Sequence, residues 1–192
     1  MKVLAFSFCM AIGASASAQN VTDQMDRFTG QRKIEYTHQA QGASFGKPIP
    51  SFFIHQGGDT PISAVRFMIS PEPGRYAIQS AQFVGCLTID WLVDDKPLKL
   101  GMVVHDLKRF DRLLVEFMTQ EASLDQLAAI GNAQRVEYRI CGKEGSLDPV
   151  DIAAVRDMVG RANGAAPALP PAPAAAEPAS GSNWRSWGKK QP

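Results

Sequence analysis

Histidines at positions 38, 55 and 105, cysteines at 86 and 141, and carboxylates at 90 and 116 are the side chains of this sequence best suited to chemistry. His38, His55 and His105 lie far apart and form neither an HExxH motif nor a helical pair. A metal site made from them would need the fold to gather their nitrogens with oxygen ligands, a mixture that zinc accepts. Asp106 follows His105 and is placed in sequence to orient its ring, as carboxylates behind metal-binding histidines do. The simpler expectation is three histidines satisfied at strand ends.

Asp90 sits between Ile89 and Trp91, and Glu116 between Val115 and Phe117. Covered by apolar neighbours, either would become a perturbed acid, in a glycosidase-like pair or in an ion network with Arg139. Thr88 and other polar residues share those faces, so exposure is expected for both. Gly42-Ala43-Ser44-Phe45-Gly46 matches GxSxG. A nucleophile elbow needs a helix directly after the motif, whereas Lys47-Pro48-Ile49-Pro50 follows and opposes one. Asp90 or Asp94 with His105 completes a Ser-Asp-His order, but the βα repeats of that architecture are missing. A glycine-rich loop accounts for Ser44. Phosphate-binding GxxxxGK[ST] loops, dinucleotide fingerprints and internal repeats are absent. No cofactor is expected.

The cysteines read differently because of the N-terminus. Lys2 is a positive n-region, Val3 to Ala14 form a short apolar run, and Ala16-Ser17-Ala18 is a small-x-small cleavage pattern. Residues 1–18 are therefore expected to be a signal peptide, and the chain a periplasmic or secreted protein. Cys9 lies within the apolar run and would leave with it. The remaining Cys86 and Cys141 lack CxxC spacing, so in an oxidising compartment they are expected to form a disulfide. Asn20-Val21-Thr22 is a formal glycosylation sequon at the mature N-terminus.

Without Lys2 the chain has nineteen basic and nineteen acidic residues. Such a balance lacks the basic footprint of nucleic-acid binding, and Lys108-Arg109 with Arg112 is the only dense basic cluster of the body.

These residues are to be positioned by a domain over residues 19–163, most of which reads as strands. Arg32 to His38, Ser51 to His55, Ile62 to Ile69, Tyr76 to Val84, Cys86 to Val93, Leu98 to Val104 and Arg112 to Met118 are expected strands. Gly57-Gly58-Asp59, Pro71-Glu72-Pro73-Gly74 and Asp94-Asp95-Lys96-Pro97 supply turns. Leu87, Ile89, Trp91 and Val93 alternate to one face, as do Val136, Tyr138 and Ile140, which leaves both cysteines on the more polar side. Ser123-Leu124-Asp125-Gln126 is a capping box opening a short helix that Gly131-Asn132 ends. Asp148 and Pro149 open a second helix with Ile152, Val155, Met158 and Val159 inward. The expected fold is α+β: a mainly antiparallel β-sheet domain with two short C-terminal helices.

Residues 164–192 form a Pro/Ala-rich spacer, extended by its prolines, that ends in a Trp/Lys/Arg tip. Trp184, Arg185, Trp187, Lys189 and Lys190 are candidate recognition residues for a partner groove, an anionic membrane surface or a glycan. The sequence as a whole reads as an exported non-enzymatic binding or adaptor module of the cell envelope, with an envelope or secreted protein as partner and no nucleic acid. A small secreted hydrolase and an inhibitor or immunity-type protein are the alternatives.

Overall fold

The computed structural model describes residues 21–39, 46–57, 61–70, 81–110 and 113–164. The fold is a mixed α+β arrangement dominated by antiparallel strands, with two C-terminal helices. Six strands make the larger sheet: β1 (Thr22–Met25), β2 (Arg32–Thr37), β3 (Pro48–Gln56), β4 (Ile62–Ile69), β7 (Val103–Phe110) and β8 (Leu113–Glu121). Their spatial order is β1-β2-β3-β4-β8-β7. A second sheet holds β5 (Ile89–Val93), β6 (Lys96–Leu98), β9 (Val136–Ile140) and β10 (Lys143–Ser146), in the order β10-β9-β5-β6. The helices are α1 (Leu124–Asn132) and α2 (Pro149–Asn163).

Period-two alternation gives the larger sheet an apolar inner face, on which Ile34, Phe52, Ile54, Val65, Phe67, Ile69 and Met118 are buried. Two bodies cover that face. At the β2–β3 end lies α2, joined through the Tyr36 hydroxyl to Asp151 and through Gln56 Nε2 to the Ala162 carbonyl (3.0 Å). At the β4–β8 end lies the smaller sheet: Phe67 meets the rings of Tyr138 (4.6 Å between centroids) and Trp91 (5.7 Å). Trp91 Nε1 donates to Gln120 Oε1 at 2.8 Å, so this buried indole keeps its hydrogen bond.

Local chemistry explains the ends of the elements. Ser123 and Gln126 exchange the two bonds of the capping box, Gln126 N to Ser123 Oγ at 3.2 Å and Ser123 N to Gln126 Oε1 at 2.7 Å. Asp94 and Asp95, both at positive φ, make the two-residue turn between β5 and β6. The Asp94 carboxylate secures that turn by accepting from the amides of Gln134 and Arg135. Cys141 and Gly142, at φ 50° and 87°, make the equivalent turn between β9 and β10. Gly131 brings α1 against α2: a Cβ there would lie 2.8 Å from the Arg156 backbone nitrogen. Arg156 Nε donates to the Gly131 carbonyl across the same contact at 2.7 Å.

The structure departs from the expected strands in five places. Leu98 to Val104 is not continuous, because residues 99–102 separate β6 in one sheet from β7 in the other. The chain is unusually close at Gly101, where a Cβ would fall 2.9 Å from the Glu121 Cβ. Cys86 to Thr88 lead into β5 without joining it, and residues 81–84, the described end of Tyr76 to Val84, form no strand. The short polar strands β1 and β10 are additions to the expected set, since neither carries an apolar alternation. Residues 1–18, Ser44 and the tail tip lie outside the described residues.

Candidate recognition surface

Alternation places the other half of each large-sheet strand on the outer face: Ser51, Phe53 and His55 from β3, Arg66 and Met68 from β4, Phe117 and Thr119 from β8, Asp106 and Lys108 from β7. Register then builds a diagonal row across four strands. Met68 is opposite Phe117, and Phe53 is opposite Ala64, whose methyl group leaves the ring partly open. The Arg66 guanidinium carbon lies 4.9 Å from the Phe53 ring centroid and 5.9 Å from that of Phe117. Lys108 Nζ lies 5.6 Å from the Phe117 centroid on the far side. The result is aromatic, cation, aromatic, cation. Each such contact is worth about 0.5–1 kcal/mol at an exposed site.

Arg66 Nε donates to Thr119 Oγ1 at 3.1 Å, which fixes the guanidinium plane. Among the described residues no carboxylate lies within ion-pair distance of Arg66, and the side chain is exposed. Lys108, by contrast, pairs with Asp106 at 3.7 Å, and His55 with Glu35 at 3.0 Å. The outer face therefore offers an exposed guanidinium between two aromatic rings. Such a fork matches a carboxylate, phosphate or sulfate.

The three imidazoles are brought to three separate places, each beside a carboxylate. His38 Nδ1 and the Tyr36 hydroxyl both meet Asp151 Oδ1, at 2.8 and 2.9 Å, while Asp151 Oδ2 accepts from the Asp148 amide at 3.0 Å. His38, Asp148 and Asp151 offer one nitrogen and two oxygens within 4.8 Å of one another, a spacing that a divalent ion could bridge. The arrangement also has a complete account without an ion. Asp148 and Asp151 stand at the N-terminus of α2, where the helix dipole favours negative charge, and the Asp151 oxygens already have three donors. Burial, and then the Asp151 carboxylate, push the Tyr36 phenol well above the usual tyrosine range. Among the described residues no serine, threonine or cysteine side chain bonds to any of the three rings.

Glu116 corrects the expectation of exposure. It is buried, and its two oxygens accept from the amides of Gln82 (2.5 Å) and Phe83 (3.0 Å) and meet His105 Nε2 at 3.1 Å. His105 is thus oriented by Glu116, while Asp106 points to the opposite face and pairs with Lys108. The role of Glu116 is to hold the 81–88 segment against the larger sheet. Lys143 of β10 reaches the same segment, bonding to the Gln82 side chain and standing 5.3 Å from the Phe83 ring centroid.

Asp90 is exposed and accepts twice from Arg139, at 2.7 and 3.0 Å, on the outer face of the smaller sheet. The two acids lie on different sheets and have different partners. Cys86 and Cys141 form a disulfide with a Cα–Cα distance of 6.0 Å across 55 positions. It ties the approach to β5 to the end of β9, beside the bond from the Cys141 amide to the Thr88 carbonyl (3.2 Å). Trp184, Arg185, Trp187, Lys189 and Lys190 lie outside the described residues.

The Phe53–Arg66–Phe117–Lys108 row is not among the sites expected from sequence. Its only local signal is an arginine and a phenylalanine at alternating positions of apolar strands, which many sheets share. No protein-family model matches the chain, and no curated protein matches it in sequence.

Proposed function

We propose that this chain is an exported, non-enzymatic binding module that holds an acidic surface of an envelope or secreted protein on the outer face of its larger sheet. The observation that carries this reading is Arg66: exposed, clamped between Phe53 and Phe117, and without a carboxylate partner among the described residues. Rigid strands present it, so little ordering entropy is lost when a partner carboxylate docks. The Arg-aromatic composition is the kind enriched where binding energy concentrates. The chemistry-bearing groups elsewhere already have structural partners: Glu116 anchors a loop, Asp151 a helix start, and Asp90 an ion pair. The disulfide supports an oxidising compartment, and the Trp184–Lys190 tip carries the same sign of charge as Arg66 and Lys108. In this reading the tip makes a second contact with the same acidic partner.

The test is a photo-reactive residue at Phe117, compared with one at Leu92 on the smaller sheet, in the chain expressed in its native host. The reading expects one acidic exported protein cross-linked from position 117 and not from position 92. Cross-linking from Leu92 alone would overturn it.

A further inference from the structure

The outer face of the smaller sheet carries a cavity of about 400 Å³, lined by Asp90, Leu92, Pro97, Glu137, Arg139 and Glu144. That volume lies in the range of ligand-holding clefts. Register explains the lining. Trp91 and Tyr138 turn inward to Phe67, so their neighbours along each strand turn outward. Glu144, Arg139 and Asp90 stand directly opposite one another across β10, β9 and β5. Glu137, Leu92 and Pro97 make a second row across β9, β5 and β6, in which Leu92 and Pro97 are exposed apolar side chains.

The charges of this lining do not cancel, because three carboxylates stand against one guanidinium. Arg139 donates twice to Asp90 Oδ2, and Glu137 accepts from Arg135 at 2.6 Å. Among the described residues Glu144 has neither a hydrogen bond nor an ion pair, although it faces Arg139 across the ladder. Unbalanced negative charge beside an apolar pair suits a cation that carries an apolar body.

The chain itself supplies that chemistry. Trp184, Arg185, Trp187, Lys189 and Lys190 place two indoles among three cations. Helix α2 ends at Asn163, and residues 165–183 would span about 60 Å in the polyproline form. A folded body of this length has a radius of gyration of about 15 Å, so the spacer is long enough for the tip to reach the cavity. Covalent linkage raises the local concentration of the tip to about the millimolar range, where a weak contact is enough. The outer face of the larger sheet presents Arg66 and Lys108, of the same sign as the tip.

We infer that in the free chain the Trp184–Lys190 tip folds back into this cavity, with an indole against Leu92 and Pro97 and its cations against Glu144, Asp90 and Glu137. The docking does not depend on what the larger sheet binds. An acidic partner held there would compete with the cavity for the tip.

The test uses the chain of residues 19–192 and reads the tip through its tryptophans. The sequence has three tryptophans and Trp91 is buried, so acrylamide quenching reports on Trp184 and Trp187. The quenching constant is expected to rise about threefold between about 20 mM and about 0.5 M NaCl, as the screening length falls from about 20 to about 4 Å. Glu144→Lys should give the high-salt value already at low salt. Asp106→Lys, an equal change of charge on the other sheet, should behave as the wild type. Both side chains are exposed, so circular dichroism should report an unchanged fold for the two variants. Zero-length carbodiimide coupling at micromolar protein should join Lys189 or Lys190 to Asp90, Glu137 or Glu144 within one chain. Quenching indifferent to salt and to Glu144→Lys, an equal response to Asp106→Lys, or coupling between chains only would overturn the assignment.

Discussion

The Arg66 guanidinium carbon lies 4.9 Å from the centroid of the Phe53 ring, one strand away on the outer face of the larger sheet. Cation–π contacts at an exposed site contribute little to folding, so Arg66→Ala is expected to lower the unfolding free energy by no more than about 1–2 kcal/mol. Urea denaturation with an unchanged m-value would check this. A loss much larger than that would make Arg66 a structural residue rather than a presented one.

Glu116 is expected to behave in the opposite way. It accepts from two loop amides and meets His105 while buried. Glu116→Ala would strand those donors and loosen Phe83, which is 2% exposed. We expect a cost of about 3–5 kcal/mol in denaturant unfolding, with amide exchange at Gln82 and Phe83 accelerated ahead of the rest.

Two helix glycines separate close packing from propensity. Gly131→Ala would push a methyl group to 2.8 Å from the Arg156 nitrogen and 2.9 Å from its Cα, both backbone atoms that cannot swing away. The expected cost is about 1–3 kcal/mol, as for other overpacked sites. Gly160 in α2 has nothing within 4 Å of the same position, so Gly160→Ala should stabilise by about 0.5–1 kcal/mol. Thermal melts of the two variants should shift in opposite directions.

Alkaline pH should expose the Tyr36–Asp151 bond. Burial and the adjacent carboxylate raise the folded-state pKa of Tyr36 above the ordinary tyrosine value near 10. A raised pKa means that the unfolded chain releases this proton first, so the associated stability is complete below pH 10 and is lost as pH climbs beyond it. Tyr138 is shifted the same way, chiefly by burial. Tyr36→Phe should therefore be less stable than the wild type at pH 7 by about 1–3 kcal/mol, yet lose less on passing above pH 10. Unfolding free energies at pH 7 and above 10 would measure the difference in slope.

Features decided by near neighbours along the chain are legible in the amino-acid sequence. The Ser123–Gln126 capping box, Pro149 at the start of α2 and the alternation of Val136, Tyr138 and Ile140 each depend on spacing within a few residues. The Cys86–Cys141 bond follows from there being two cysteines after the N-terminal run. The division into two sheets is not legible, because β6 and β7 are separated by four residues whose break depends on how closely Gly101 approaches Glu121. Strand β10, Lys-Glu-Gly-Ser, has no apolar alternation and exists because the turn at Cys141-Gly142 returns it along β9. Glu116 reads as exposed because the amides that bury it arrive from more than thirty positions away. The Arg66 row depends on the registers of four strands at once.

The most direct test of the recognition surface is affinity purification from the native host after cross-linking, with the wild type, Arg66→Ala and a chain ending at Asn163 in parallel. The account predicts one exported acidic protein recovered with the wild type, reduced at least tenfold by Arg66→Ala and reduced less by removal of the tail. Recovery unaffected by Arg66→Ala, with the partner lost only on truncation, would contradict it and place recognition on the tail alone.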